Sequence, residues 1–170
     1  GGVAGGPCGA VAAVRRARGV VFLSRGTDDL FQCAVAIDRT NARVAHRYEP
    51  THPGVVRLLK MVADAAHAND IWVGVCGEMA GRPLEAFTLT ALGFERLSMP
   101  PAGIGPVKQM VLGCDRELAR RGVSALLKSS AGSVRSEIET LARKLSLAVC
   151  PRRSLKQSRS LPQRTRDRHS

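Results

Sequence analysis

Two short apolar runs, each closed by glycine and acidic side chains and each leading towards a helical pattern, limit the folds open to this chain. The first is Val20-Val21-Phe22-Leu23-Ser24, running into Gly26-Thr27-Asp28-Asp29. The second is Ile71-Trp72-Val73-Gly74-Val75-Cys76, running into Gly77-Glu78. Apolar runs this short read as buried strands entering loops. Leu30 to Ile37 reads as a helix, with Asp28 or Asp29 placed to cap its start. Pro53 opens a stronger one, in which Val55, Leu58, Leu59, Val62, Ala65 and Ala66 recur at helical spacing. Asn69-Asp70 breaks it. Pro83 begins a helix through Leu92 that Gly93 stops, Phe94 to Met99 reads as a third strand, and Pro100-Pro101 ends that strand. Helices are expected at Ile104–Leu112, Arg116–Leu127 and Ser133–Leu147. Strands alternating with helices imply βαβ units and a parallel sheet. In such sheets ligands bind just past the strand ends, where glycine and acid gather here. Three strands in 170 residues are too few for a closed eight-stranded barrel, which takes about 250.

Composition removes other classes. At 44% hydrophobic residues the chain can bury a core, and no apolar run approaches the 18 or so residues of a membrane helix. Gly1 to Gly6 has neither the basic flank nor the apolar centre of a secretory signal, and the absence of an initiator Met suggests a truncated or processed chain. The net charge of +12 invites a nucleic-acid reading, but half of it lies in residues 151–170, where seven Lys and Arg face only Asp167. With 4% aromatic residues there is no platform for stacking bases, which argues against nucleic acid as a partner. The hydrophobic pattern stops after Cys150, so residues 150–170 read as a basic disordered tail. Cys8, Cys33, Cys76, Cys114 and Cys150 are far apart and form no CxxC pair, so they read as thiols of a reducing cytoplasm rather than zinc ligands or a disulfide framework.

Three segments carry chemistry: Gly26-Thr-Asp-Asp-Leu30, Ala36-Ile-Asp-Arg-Thr-Asn41 and Gly74-Val-Cys-Gly-Glu-Met-Ala-Gly81. With Tyr48, His52-Pro53 and Leu97-Ser98-Met99, they resemble the C-terminal barrel of the phosphoenolpyruvate-protein phosphotransferases, that is, Enzyme I of the bacterial sugar phosphotransferase system and its nitrogen-related paralogue. The resemblance covers roughly residues 1–125. Pyruvate phosphate dikinase and phosphoenolpyruvate synthase share the Cys-Gly-Glu core and are the near alternative. The resemblance implies an α/β fold, the C-terminal part of a (β/α)8 TIM-type barrel of the PEP-utilising enzymes. Residues 1–125 would form the barrel portion, 126–149 a C-terminal helix and 150–170 the tail.

It also implies phosphoryl transfer from phosphoenolpyruvate to a protein histidine, with Mg2+ as cofactor and the histidine phosphocarrier protein as the next partner. A homodimer and a cytoplasmic location belong to the same implication. Matched position by position, Asp29 is the metal-binding aspartate, Arg39 contacts the phosphate, Cys76 is the acid that handles the proton at the methylene carbon, and Asp28 lies in the phosphoryl-binding position. Carboxylate-held metal and an arginine fork are what spread phosphoryl charge requires. A thiol with a pKa of roughly 8.5 can supply the proton when held beside the carbon. Glu78 either accepts backbone hydrogen bonds in the loop or orients the cysteine. His46, His52 and His67 lack metal-ligand spacing and read as structural. The chain departs from the family pattern at four positions. Gly5 stands where a second metal carboxylate belongs, Asp28 stands for an asparagine, Val21 for an aspartate and Arg25 for a small apolar residue. The His-bearing domain and the upstream half of the barrel that the resemblance implies are not expected within these 170 residues. A partial barrel inactive alone, or a non-catalytic binding or dimerisation module, are both expectations of that pattern.

Overall fold

The computed structural model describes residues 2–4, 22–26, 30, 32, 34, 49–128 and 134–145. Strand β1 (Gly2–Ala4) precedes β2 (Phe22–Gly26), and helix α1 (Pro53–His67) precedes β3 (Trp72–Cys76). A single 3-10 turn (Glu78–Gly81) then leads into α2 (Pro83–Leu92), β4 (Arg96–Ser98), α3 (Pro101–Leu112), α4 (Arg116–Lys128) and α5 (Val134–Lys144). The four strands form one parallel sheet in the order β1-β2-β3-β4. The protein is thus mixed α/β, mostly helical, around a small parallel sheet.

Helix α1 begins as its sequence dictates. Pro53 occupies the first turn, and His52 caps it, its Nδ1 accepting from the Gly54 N–H at 3.2 Å. Its buried stripe is Val55, Val56, Leu59, Val62, Ala63 and Ala66. Helix α2 is different: it is buried on nearly every side, from Leu84 to Leu89 and again at Ala91 and Leu92. Such a helix belongs at the centre of a layered core. It packs against α4, α3 and α5, while Thr88 and Thr90 return their hydroxyls to the Leu84 and Ala86 carbonyls at 2.9 and 2.8 Å. Gly93 ends α2 in the left-handed conformation at φ 104°, and Phe94 follows, buried, its N–H reaching back to the Leu89 carbonyl at 3.1 Å. Val73, Gly74 and Val75 of β3 are buried on both faces of the sheet, the condition of a central parallel strand.

Several expectations change in detail, among them the strand at Phe94–Met99, which is observed as Arg96–Ser98. Strand β1 was not expected at all. The expected strand at 20–24 is observed as Phe22–Gly26, with Val20 and Val21 outside the described residues. Helix α3 begins at Pro101 rather than Ile104, because a proline that ends a strand also suits the first turn of a helix. Of the expected helix Leu30–Ile37, the described Leu30, Gln32 and Ala34 are helical. The tail at 150–170 lies outside the described residues.

Candidate functional site at the carboxyl ends of the strands

Parallel pairing places three positions side by side at one end of the sheet: Gly26 pairs with Cys76, and Cys76 with Ser98. Each is the last residue of its strand, so the chain leaves the sheet three times at this edge. Cys76 is partly buried there. The next residue, Gly77, has φ 132°, a conformation that side chains rarely adopt, and its N–H donates to the Ser98 carbonyl at 3.3 Å. That reversal turns the chain out of the sheet immediately after the thiol.

The loop beyond is packed by glycine contact. A Cβ on Gly103, in the first turn of α3, would stand 2.8 Å from the Gly81 Cα and carbonyl oxygen. Glu78 and Arg82 form an exposed ion pair across this loop at 3.5 Å. With Pro100 and Ala102 they border an open depression of about 400 Å3, whose described walls do not include Cys76.

Of the sequence-predicted site residues, Cys76 is thus at the strand edge, while Asp28, Asp29 and Arg39 lie outside the described residues, as do Gly5, Val21, His46 and Tyr48. Gly26 brings the chain to the same edge two positions before Asp28 and three before Asp29. Among the described residues no group of three or more His, Cys, Asp or Glu could hold a metal ion. His52 and His67 have structural placements, one as the α1 cap and the other with its imidazole against Gly93. Cys76 and Cys114 are both outside disulfides.

Behind this edge lies a charge cluster that sequence reasoning missed. Arg135 of α5 donates through one nitrogen, Nη1, to Glu49 and Glu85, each at 3.1 Å, and its Nε pairs with Glu139 at 3.1 Å. Glu85, in the first turn of α2, is 3% exposed. Burial alone would lower the Arg135 pKa, but the carboxylates of Glu85 and Glu49 raise it. Burial likewise pulls Glu49 up, and the Thr51 hydroxyl and N–H together with Arg135 outweigh it, leaving the carboxyl below its ordinary value.

The model of the family "PEP-utilising enzyme, PEP-binding domain" matches residues 6–140. The chain belongs to this family. It is 41% identical to the phosphoenolpyruvate-protein phosphotransferase of Geobacillus stearothermophilus over 142 residues, 84% of this chain and 24% of that protein. The proteins of the same name from Bacillus subtilis (strain 168) and Haemophilus influenzae are 39% and 37% identical, each over 78% of this chain and 21% and 23% of their own lengths. The chain spans about a quarter of the length of the curated relatives it matches. No helix among the described residues is long and apolar enough to cross a membrane.

Proposed function

We propose that this chain supplies the carboxyl-terminal part of a phosphoenolpyruvate-binding barrel to phosphoryl transfer in the phosphotransferase system. The supporting observation is the register Gly26–Cys76–Ser98, which sets the Cys-Gly-Glu-Met-Ala-Gly segment at the carboxyl edge of a parallel sheet. In a (β/α)8 barrel that edge is the ligand-binding face. The reaction joins the phosphoryl group of phosphoenolpyruvate to a protein histidine, breaking the ester P–O bond and releasing the enolate of pyruvate. Cys76 then gives its thiol proton to the methylene carbon, and pyruvate forms. Arg39 binds the phosphate through its guanidinium fork, and Asp28 takes the phosphoryl-binding position, where its carboxylate must be protonated or bridged by the metal to avoid repelling the phosphoryl oxygens. Asp29 is the protein ligand proposed for Mg2+, which when bound neutralises phosphoryl charge. The histidine belongs to another domain, and the histidine phosphocarrier protein takes the group next. Residues 1–125 act as the barrel portion and 126–149, which hold the end of α4 and all of α5, as the closing helical part, in a cytoplasmic protein that is a homodimer when complete.

The test is calorimetry of the chain with phosphoenolpyruvate and Mg2+. Micromolar binding that Arg39→Ala abolishes is the expected result, and no binding up to millimolar ligand would overturn the reading.

A second reading, a non-catalytic binding or dimerisation module, is favoured by one observation. Ile104, Val111 and Leu112 of α3 are 52%, 41% and 78% exposed, and a cavity of about 720 Å3 opens beside them along β4. Sedimentation at rising concentration tests it: a monomer throughout would remove self-association.

A further inference from the structure

The Arg135 cluster joins three parts of the chain that have no neighbouring positions in sequence. Glu49 lies just ahead of α1, ten positions beyond Arg39, and Glu85 sits in the first turn of α2, three positions after Arg82. Glu139 is one turn along α5 itself. Arg135 is about four-fifths buried, and each of its three partners is within 3.1 Å. Glu49 is fixed from its other side too, accepting from the Thr51 hydroxyl at 2.6 Å and the Thr51 N–H at 3.2 Å. Thr51 is fully buried and immediately precedes the capping His52.

A path of rigid contacts runs from Glu85 to the sheet edge. Holding Glu85 holds the first turn of α2, which the extended Arg82 joins to the 3-10 turn, its N–H donating to the Met79 carbonyl at 3.4 Å and its carbonyl accepting from the Ala86 N–H at 2.8 Å. That turn is wedged at Gly81 against Gly103 and tied at Gly77 to the Ser98 carbonyl. Cys76 is the next residue. Arg57 adds a parallel tie at this end of the helical layer, donating through Nη2 to the Leu127 carbonyl at 3.1 Å.

We propose that Arg135 is a positioning residue: through one guanidinium, α5 fixes the segment leading into α1 and the loop after β3 relative to each other, and so sets the backbone around Cys76. Calling this the environment of a site rests on the function proposed above. The mechanical claim does not, because its readouts need no ligand.

A guanidinium suits this role where an ammonium does not. It is planar, and its fixed donor directions serve several carboxylates at once. Lysine at 135 would keep a counter-charge for buried Glu85 but lose the fork to Glu49 and Glu139.

The experiment compares the full chain with R135K and R135Q by hydrogen exchange resolved to short segments, together with the alkylation rate of Cys76 read by mass spectrometry. In R135K, exchange in segments 77–82 and 50–54 rises about tenfold and Cys76 alkylation changes with it, while Val73–Val75 and α3 keep wild-type protection. R135K keeps the claim testable if R135Q does not fold. Wild-type exchange at 77–82 in folded R135K would overturn the proposal. So would a uniform rise in all segments, which marks lost stability and nothing more. Failure of phosphoenolpyruvate to bind the wild-type chain is a separate result, which removes the function but leaves these exchange data standing.

Discussion

Arg135 Nη1 stands 3.1 Å from Glu85 Oε1, and Glu85 is 3% exposed, so one helix closes over the buried carboxylate of another. A buried ion pair gains little over a well-packed apolar pair, because desolvation costs about what attraction returns. Breaking it on one side is different, since it leaves an uncompensated charge. Arg135→Ala is therefore expected to cost about 3–5 kcal/mol. The double variant R135L/E85L should recover the part of that loss due to buried Glu85, while the part due to Glu49 and Glu139, which lose Arg135 in both variants, remains. Urea unfolding followed by circular dichroism measures both, and equal losses in the single and double variants would contradict this account.

Acid should weaken the same cluster through Glu49. Its carboxyl is held below the ordinary value of 4.5, so the unfolded chain binds its proton more readily than the folded one. The stabilisation is complete above that ordinary value and is lost as the pH falls through the lower folded-state value. Glu49→Gln removes the titrating group. The stability gap between wild type and E49Q is therefore widest near neutral pH and closes below pH 4.5. Thermal unfolding from pH 7 to pH 3 checks this, and a gap that widened in acid would reverse the sign.

The sequence carried the edges of the fold better than its joints. Pro53, Pro83 and Gly93 announce α1 and α2 because each residue has a steric reason to sit at a helix end. Gly2–Ala4 announces nothing. Three small residues become a strand only by pairing with Leu23, Ser24 and Arg25. The start of α3 is hidden for another reason: Pro100-Pro101 reads as the end of a strand and Gly103 disfavours a helix, so the pattern places the start one turn late, at Ile104. At the candidate site, the place of Cys76 at a strand end was legible from the apolar run before it and the glycine after it, whereas its proposed role rests on the resemblance. Arg135 was not, because its partners Glu49 and Glu85 are 86 and 50 residues away and α5 reads as an ordinary charged surface helix.

Two glycines on α3 should respond unequally to the same substitution. A Cβ at Gly105 meets nothing within 4 Å beyond its chain neighbours, but Pro106 follows and its Cδ crowds a preceding Cβ in helical backbone, which offsets the helix propensity of alanine and leaves Gly105→Ala near neutral. A Cβ at Gly103 would strike the backbone of Gly81 at 2.8 Å, and backbone cannot swing aside as a flexible side chain can. Gly103→Ala should cost about 1–3 kcal/mol as overpacking. It should also raise hydrogen exchange at 77–82, which Gly105→Ala leaves unchanged. Melting temperatures of the two variants give the comparison directly, and a stabilised G103A would mean that the Gly81 turn yields freely.

The two described thiols separate the proposed chemistry from mere presence of cysteine. Burial pushes the Cys114 thiol up and the neighbouring Asp115 carboxylate adds to the shift, so little thiolate forms there near neutral pH. Iodoacetamide should accordingly modify Cys114 more slowly than a solvated cysteine in a short peptide. Cys114 also stands outside the strand edge, whereas Cys76 is the last residue of β3, paired with Gly26 and Ser98. If Cys76 delivers the proton to the methylene carbon, its loss must slow pyruvate release while phosphoenolpyruvate still binds. The chain joined to a complete upstream portion of the barrel and its histidine domain is the system to assay. There Cys76→Ala should lower kcat by about 10²–10⁴ with KM little changed, and Cys114→Ala should leave both near wild type. Pyruvate release that survives Cys76→Ala would take the proton-donor role away from Cys76.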